Sequence, residues 1–413
     1  MFLIRRAKAD DVPTLLKLAK MVHFINLPAD REIIQEKVAW SNQCFLLAAD
    51  AEVGTAKRRS GESAATSRNG ASARGATPTP HGEISSGLRT LTGQSPLFMF
   101  VLEDLETKGV VGTSQVVARM GGPGHPNVSL QLAKSQKWSQ SLQIGVTHTV
   151  ARLHLDESGP TEIGGLIVQP SLRGHRLKLG RLLSVVRFHF MGLHRELFAD
   201  RVLAELMGVI SEHGENPFWD HCTRAFINLT FDEADRFCQT SKEFILALFP
   251  HEDIYLSLLP PEARNVVGSV GTETAPARRM LERLGFKYYD RVDPFDAGPH
   301  LEADMDALAP VAGTRRLRFG EPASGRRAAR LSTPAIVSTL DEDGEFRALE
   351  AGCSLERNGR VTVAREVMDA LAASPGVECG FTPMSAMGGA PGESKAPRGA
   401  ARSGSARRRR TRS

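Results

Sequence analysis

Apolar positions along the chain recur now at strand spacing, now at helix spacing, and this predicts interleaved strands and helices. Phe2–Arg6 predicts a strand; Asp11 then caps a helix with Leu15, Leu16 and Leu18 inward, and Asp30 caps a second helix reaching Trp40. C-F-L-L-A-A at Cys44–Ala49 and L-F-M-F-V-L-E-D from Leu97 predict strands on either side of a long polar stretch. Further strands are expected near Gly109–Arg119 and Gly145–Leu155. Thr161–Pro170 (T-E-I-G-G-L-I-V-Q-P) predicts a short buried strand, followed by the turn S-L-R-G-H-R-L-K-L-G, an amphipathic helix over Arg181–Leu197 and a strand at Val202–Val209. Thr274 and Pro276 suit a helix start, Met280, Leu281 and Leu284 give its apolar face, and Gly285 ends it. Phe286, Tyr288 and Val292 alternate as a half-buried strand would. From about Pro310 the short runs R-R-L-R-F-G, A-I-V-S-T-L and E-F-R-A-L-E predict strands, and Val361–Ala373 a helix.

Two segments break the pattern. Residues 51–96, rich in Ser, Gly, Ala, Thr and Arg, predict a disordered insertion between paired strands; such an insertion costs little because closure entropy grows only logarithmically with length. Residues 383–413 predict a disordered tail ending in the run Arg407–Arg410. The expected organisation is one domain over 1–309, a small β-rich region over 310–382, and the tail.

Charge follows this division. The chain's net +5 contains +7 from the tail and +3 from the insertion, which leaves −5 on the rest. The folded body is therefore mildly acidic, and the basic balance does not argue for nucleic-acid binding. For the tail, a solubilising role is expected over nucleic-acid contact. Five scattered cysteines with no C-x-x-C argue against a disulfide framework or a metal site, and a reducing cytoplasm is expected. No apolar run has the roughly 20 residues of a membrane span, and the N-terminus lacks the order of a secretion signal.

The first chemical signal is the turn after the Thr161–Pro170 strand. Arg173 and Gly174, with Gly180 and Arg181 opening a helix, gather backbone N–H groups, a helix dipole and cations, which suits a pyrophosphate. A glycine-containing strand–helix turn also serves simply as a turn.

The turn resembles the coenzyme-A loop of the GNAT acyltransferases, and L-E-R-L-G-F-K-Y resembles that superfamily's last helix and strand. A-E-L-M-G-V-I-S-E-H-G-E-N-P-F-W (Ala204–Trp219) resembles the A-E-x-x-G-x-x-D/S-E-x-G-x-x-P-F-W block of the arginine N-succinyltransferases. T-A-P-A-R through F-D-A-G-P-x-L-E-A-D resembles that family's C-terminal block, and I-R-x-A-x-x-x-D-V and the L-P-A-D of Leu27–Asp30 agree. The resemblance covers about residues 1–310. It implies an α/β (α+β) GNAT-like fold with a mixed central sheet, to which the β-rich region and the tail are appended. It also implies transfer of a succinyl group from succinyl-CoA to the α-amino group of L-arginine in arginine catabolism, with succinyl-CoA as co-substrate and no permanently bound cofactor. Some members also take ornithine, and some work as paired homologous subunits, so a homo- or hetero-oligomer is implied.

Within that frame, backbone amides around Leu166 and Val168 would hold the acyl carbonyl, and Arg173, Gly174, Gly180 and Arg181 the CoA phosphates. A guanidinium substrate needs carboxylates; Glu212, Glu215 and Asp220 are the candidates, although a solvated helix-start cluster has the same composition. His213, between two acids, suits a general base or a substrate contact, and equally a structural brace for the Gly214 turn. One departure matters. The family's proton-donor histidine occurs in V-H-x-x-T-A-P-A, whereas this chain reads Val270-Gly271-Thr272-Glu273-Thr274-Ala275-Pro276-Ala277. The proton then comes from Glu273, Tyr288, Tyr289 or water, or the chain has shifted to another amine or acyl-CoA, or it serves as a weakly active partner subunit.

Overall fold

The computed structural model describes residues 1–21, 27–65, 94–211, 214–238 and 241–387. The strands in chain order are β1 Phe2–Arg6, β2 Leu97–Asp104, β3 Gly109–Val117, β4 Asn127–Ser139, β5 Ile144–Asp156, β6 Thr161–Val168, β7 Arg201–Glu205, β8 Ile254–Tyr255, β9 Lys287–Val292 and β10 Pro299–Asp304. They are followed by β11 Arg315–Phe319, β12 Thr333–Leu340, β13 Phe346–Leu355, β14 Arg360–Thr362 and β15 Glu378–Pro383. They form one mixed sheet in the order 12-15-11-14-13-1-2-3-6-7-10-9-4-5-8, with β6–β7 and β11–β14 parallel. The helices that matter are α1 Val12–Lys20, α2 Arg31–Ala65, α3 Leu179–Leu193, α4 Ala275–Leu284 and α5 Arg365–Ala370.

Several expectations change. Cys44–Ala49 is helical, not extended: Ser41, Cys44, Phe45, Ala48 and Ala49 are buried at helical spacing, and the Phe45 ring packs on Phe98, Phe100, Phe190 and Phe346. The helix continues through 51–65, inside the stretch expected to be disordered; residues 66–93 lie outside the described residues. Its Asp30 cap is as expected, with Oδ1 accepting the Glu32 and Ile33 amides at 2.9 and 3.2 Å. Strand β4 was missed, although Val128, Leu130 and Leu132 alternate with polar residues as in a half-buried strand. Val361 and Thr362 belong to β14, paired with β13, and the helix begins only at Arg365. Pro383 closes β15, paired with Ala335, and Met384–Met387 form a 3₁₀ turn, so the ordered chain enters the expected tail.

β12 pairs with both β15 and β13, closing the C-terminal strands into a ring around Phe319, Val337, Leu349, Val361 and Phe381. That ring is joined to the rest through β13–β1. It also explains why α3 is buried nearly all round and not amphipathic. His189 on α3 bonds Thr382 Oγ1 at 2.6 Å and Ser338 Oγ at 2.7 Å, so the ring covers the face expected to meet solvent. Burial, with Arg316 nearby, pushes the His189 imidazole down to about 3.

Candidate active site

Parallel strands β6 and β7 pair only at Thr161–Val202 and Glu162–Leu203. The cause of the divergence is visible in β6. Its register against β3 slips between Thr113–Ile167 and Gln115–Gly164, a bulge centred on Gly165 at φ +57°. A Cβ at Gly165 would meet Gln115 Cγ at 3.0 Å, so glycine serves both the backbone conformation and the close approach. Beyond Glu162 the strands open into a wedge, with Leu166 and Val168 half-buried along one side. Arg187 of α3, unnoticed in the sequence, steadies that side: its buried guanidinium donates to the Gly164 carbonyl at 3.3 Å and to Ser184 Oγ at 2.7 Å.

The loop leaving β6 holds the expected anion-binding residues. Gly174 is left-handed at φ +75° with open space where a Cβ would stand, and Lys178 is left-handed at φ +50° just before α3. A Cβ on Gly180, in the first turn of α3, would lie 3.8 Å from Val168 Cγ2, so this helix start passes beside β6. Arg173, Gly174, Arg176 and Lys178 are exposed. Arg181 lies 3.8 Å from Glu350 of β13, and Arg173 is ion-paired with Glu273. One expected cofactor residue is thus tied to one expected catalytic residue.

Glu273 sits in the loop that starts α4. The Gly271 carbonyl accepts the Thr274 and Ala275 amides at 3.1 and 3.0 Å, and Thr274 adds no side-chain cap. A Cβ on Gly271 would find only the Gly208 carbonyl, at 3.4 Å, so the backbone leaves room for a side chain there. Val270 and Tyr288 pack against the same core as Leu166, Val168 and Leu172. The other expected site residues separate from this group. Asp220 is exposed and 3.9 Å from Arg224, and Glu215 is exposed with its carbonyl bonded to the Ser211 amide. Glu212 and His213 lie outside the described residues.

A second set of charges was missed. In the parallel pair, Glu162 faces the same way as Leu203 and, two residues on, Glu205. His300 of β10 is opposite Glu205, and the Asn127 amide at the start of β4 donates to Glu205 Oε1 at 3.0 Å. Their neighbours Ile163, Val202, Ala204 and Leu301 join the core that includes Leu281 and Leu284 of α4, so the charged row lies on the other face of the sheet.

The turn after β9 completes this set. Asp293 Oδ1 accepts the Phe295 amide at 2.7 Å, and Asp296 accepts the Gly208 and Gly298 amides, each at 2.7 Å. Both glycines are needed, since a Cβ on Gly298 would lie 2.0 Å from the Leu206 carbonyl and one on Gly208 2.3 Å from the Asp296 carbonyl. This crossing also ends β7 at Glu205, short of the expected Val209. Burial, with Asp296 and Glu205 adding to it, raises the Asp293 carboxyl to about 7; burial raises Asp296 to about 6 against its two amide donors. Burial works to raise Glu205 too, but His300, Lys242 and the Asn127 amide outweigh it and hold this carboxyl below its ordinary value. Lys242 is held above its ordinary value by Glu205, Cys238, Glu162 and Asp293, despite burial. The F-D-A-G-P and A-E-L-M-G segments carry these acids, but their juxtaposition across three strands has no local signature.

Among the described residues no helix is long and apolar enough to cross a membrane. Residues 84–310 match the profile of a family described as Arginine N-succinyltransferase beta subunit. An Arginine N-succinyltransferase from Escherichia coli (strain 55989 / EAEC) is 34% identical over 295 residues, covering 70% of this chain and 83% of that protein. One from Shigella boydii serotype 18 is 36% identical over 279 residues, covering 65% and 77%. The solved structure of arginine/ornithine succinyltransferase subunit AI from Pseudomonas aeruginosa superposes with a TM-score of 0.70 at 26% identity, covering 93% of this chain and 98% of that one.

Proposed function

The chain belongs to the arginine N-succinyltransferase family, and from that premise we propose that it transfers the succinyl group of succinyl-CoA to the α-amino group of L-arginine. The products are N2-succinylarginine and CoA, and the reaction opens arginine catabolism by the succinyltransferase route. The observation that carries this reading is the wedge: an acyl thioester needs an extended backbone edge to lie along, with an anion-binding helix start at the end of that edge. β6 beyond its bulge and the loop into α3 supply the two together. The same divergence supports a GNAT-type reading of the mixed sheet.

In this reading the pantetheine runs beside β6, the amides of Leu166–Val168 face the thioester carbonyl, and Gly174, Gly180, Arg173 and Arg181 receive the phosphates. Backbone N–H groups fixed in a strand stabilise the developing oxyanion without reorganising. The neutral amine attacks the thioester carbonyl, forming the C–N bond and a tetrahedral oxyanion; its collapse breaks the C–S bond, the attacking nitrogen gives up one proton to solvent, and the departing thiolate takes one. Gly271 offers none. Glu273 is ion-paired with Arg173 and orients that guanidinium. Tyr288 and Val270 pack against the same core, and burial raises the Tyr288 hydroxyl to about 12; we assign the proton to Tyr288 or to water. A cytoplasmic setting fits the five free thiols, all of them buried or half-buried. Pairing with a second subunit is supported by the β4–β5 hairpin, which pairs with β9 and β8 only near its base and exposes Trp138, Leu142, Ile144 and Val146 beyond it.

Thiol release from succinyl-CoA, followed with arginine, ornithine, lysine or no amine, tests the reading. Arginine-dependent release supports it. Release only with another amine moves the specificity, and no release despite CoA binding would make the chain a partner subunit.

A further inference from the structure

Where the turn after β9 meets the end of β7 and the start of β10, three side chains bring ligand-type atoms together. Glu205, Asp293 and His300 each offer one such atom, and the three lie within 4.8 Å of one another. Acidic groups gather on many surfaces without binding anything, so the pairing of the buried atoms decides. His300 is 2% exposed, and its Nε2 has no hydrogen-bond partner among the described residues, although it stands 3.9 Å from Glu205 Oε1. Asn127, 5% exposed, gives its amide N–H to Glu205 Oε1 at 3.0 Å and leaves its own carbonyl oxygen unbonded. Polar atoms buried without a partner are costly. In the Nδ1–H tautomer the His300 Nε2 is a lone-pair donor, as the Asn127 oxygen is, and two such atoms beside two carboxylates suit a cation.

The carboxylates are held as metal ligands need to be. Asp293 Oδ1 accepts the Phe295 and Asp296 amides at 2.7 and 3.2 Å, which leaves Oδ2 for a further bond. The Asn127 amide fixes Glu205 in the same way. Bonds of about 2.0–2.2 Å from an imidazole nitrogen and two oxygens to one ion place those atoms roughly 3–3.5 Å apart. The set reaches that spacing with movements of about an ångström. Lys242 does not take the place: Glu205 and Asp293 act on its ammonium group, yet among the described residues it forms no direct ion pair with either. An opening of about 20 Å³ beside Glu205, Lys242 and Asp293 has room for one water or one ion. All three side chains are only partly buried, which supplies a way in from solvent.

We propose that Glu205, Asp293 and His300 bind one divalent first-row transition-metal ion of the zinc class, with the Asn127 carbonyl oxygen as a further contact. The imidazole selects against magnesium and calcium, which take oxygen ligands. The scattered cysteines argue only against a thiolate site, and this set needs none. The ion ties the end of β7, β10, the start of β4 and the turn after β9 together, on the face of the sheet away from α3. Its role there is to brace one wall of the wedge, and the inference stands apart from the acyltransferase reading.

The test is metal binding by the full chain, stripped with EDTA, dialysed and titrated with Zn²⁺ against a chromophoric chelator. The chain should take up one ion with a Kd of about 1 μM or below. It should melt about 3 °C higher with Zn²⁺ at roughly 100 times that Kd. Co²⁺ in its place should give visible d–d bands, a signature that neither a bridging water nor the Lys242 ammonium produces. Glu205→Gln and His300→Gln each remove a ligand, and should weaken Zn²⁺ beyond the roughly 10–100-fold that a supporting residue costs. Both should lose the Co²⁺ bands while keeping the wild-type circular dichroism spectrum. Lys242→Met, which removes an opposing charge and no ligand, should tighten Zn²⁺ about tenfold. His221→Gln, at an exposed pair with Glu262, should change nothing. No ion bound by the wild type overturns the proposal and leaves one water to bridge His300 and Asn127. Binding that survives in both Glu205→Gln and His300→Gln overturns it in favour of an adventitious surface site. If either of those variants does not fold, Lys242→Met decides, since unchanged Zn²⁺ affinity there overturns the proposal as well.

Discussion

The two sides of the β6–β7 wedge are built in opposite ways. One is a contiguous run, Arg173 to Arg181, with exposed cations, left-handed backbone at Gly174 and Lys178, and an ion pair to Glu273 that solvent screens. The other draws Glu162, Glu205, His300, Asn127, Asp293 and Lys242 from distant parts of the chain into a partly buried cluster. A phosphate-binding loop works by local backbone geometry and can stay wet. A cluster of partly buried charges is brought together only by long-range packing.

The sharpest way to break this contrast is at the crossing beneath the charge cluster. Gly298→Ala forces a Cβ onto the Leu206 carbonyl and should destabilise the fold by about 3 kcal/mol or more in thermal or urea unfolding. Asp296→Ala, which orphans the Gly208 and Gly298 amides, should cost about 2–4 kcal/mol. Arg173→Ala on the cofactor side should leave stability within about 0.5 kcal/mol. Equal destabilisation on both sides would end the comparison.

Next in size is Gly271→His. The backbone leaves space for a side chain, so the variant should fold and gain about tenfold or more in kcat if a proton donor is what the site lacks. An unchanged kcat would show that Tyr288 or water already suffices. Smaller again is the effect of pH. Asp293 has a native pKa of about 7 against an ordinary 3.8, so the native state holds a proton that the unfolded chain has released. Stability should therefore fall as pH rises from about 4 to about 7, and Asp293→Asn should flatten that slope in melts across the range. On the hairpin, Trp138→Glu with Ile144→Glu should lower the mass seen by sedimentation with little change in melting temperature.

The contrast also explains what could be read from the sequence. The strand at Thr161, the Arg173–Gly180 loop, and the helix ending at Gly285 carry local signals and stand where periodicity put them. Cys44–Ala49 failed because six apolar and small residues suit either element, and burial against Phe98 and Phe100 decided for helix. α3 was misread as amphipathic because its second partner, the C-terminal ring, comes from residues more than a hundred positions away. The charge cluster was invisible for the same reason: Glu162 and Glu205 become neighbours only through a parallel pairing, and His300 only through its register against β7.

The central claim is that the β6 edge and the loop into α3 hold CoA. Titrating CoA into the wild-type chain and into Arg173→Ala tests it most directly. The account predicts that the wild type binds CoA and that Arg173→Ala weakens it about tenfold, with the fold intact by melting. No CoA binding by the wild type, or unchanged affinity in Arg173→Ala, would contradict it.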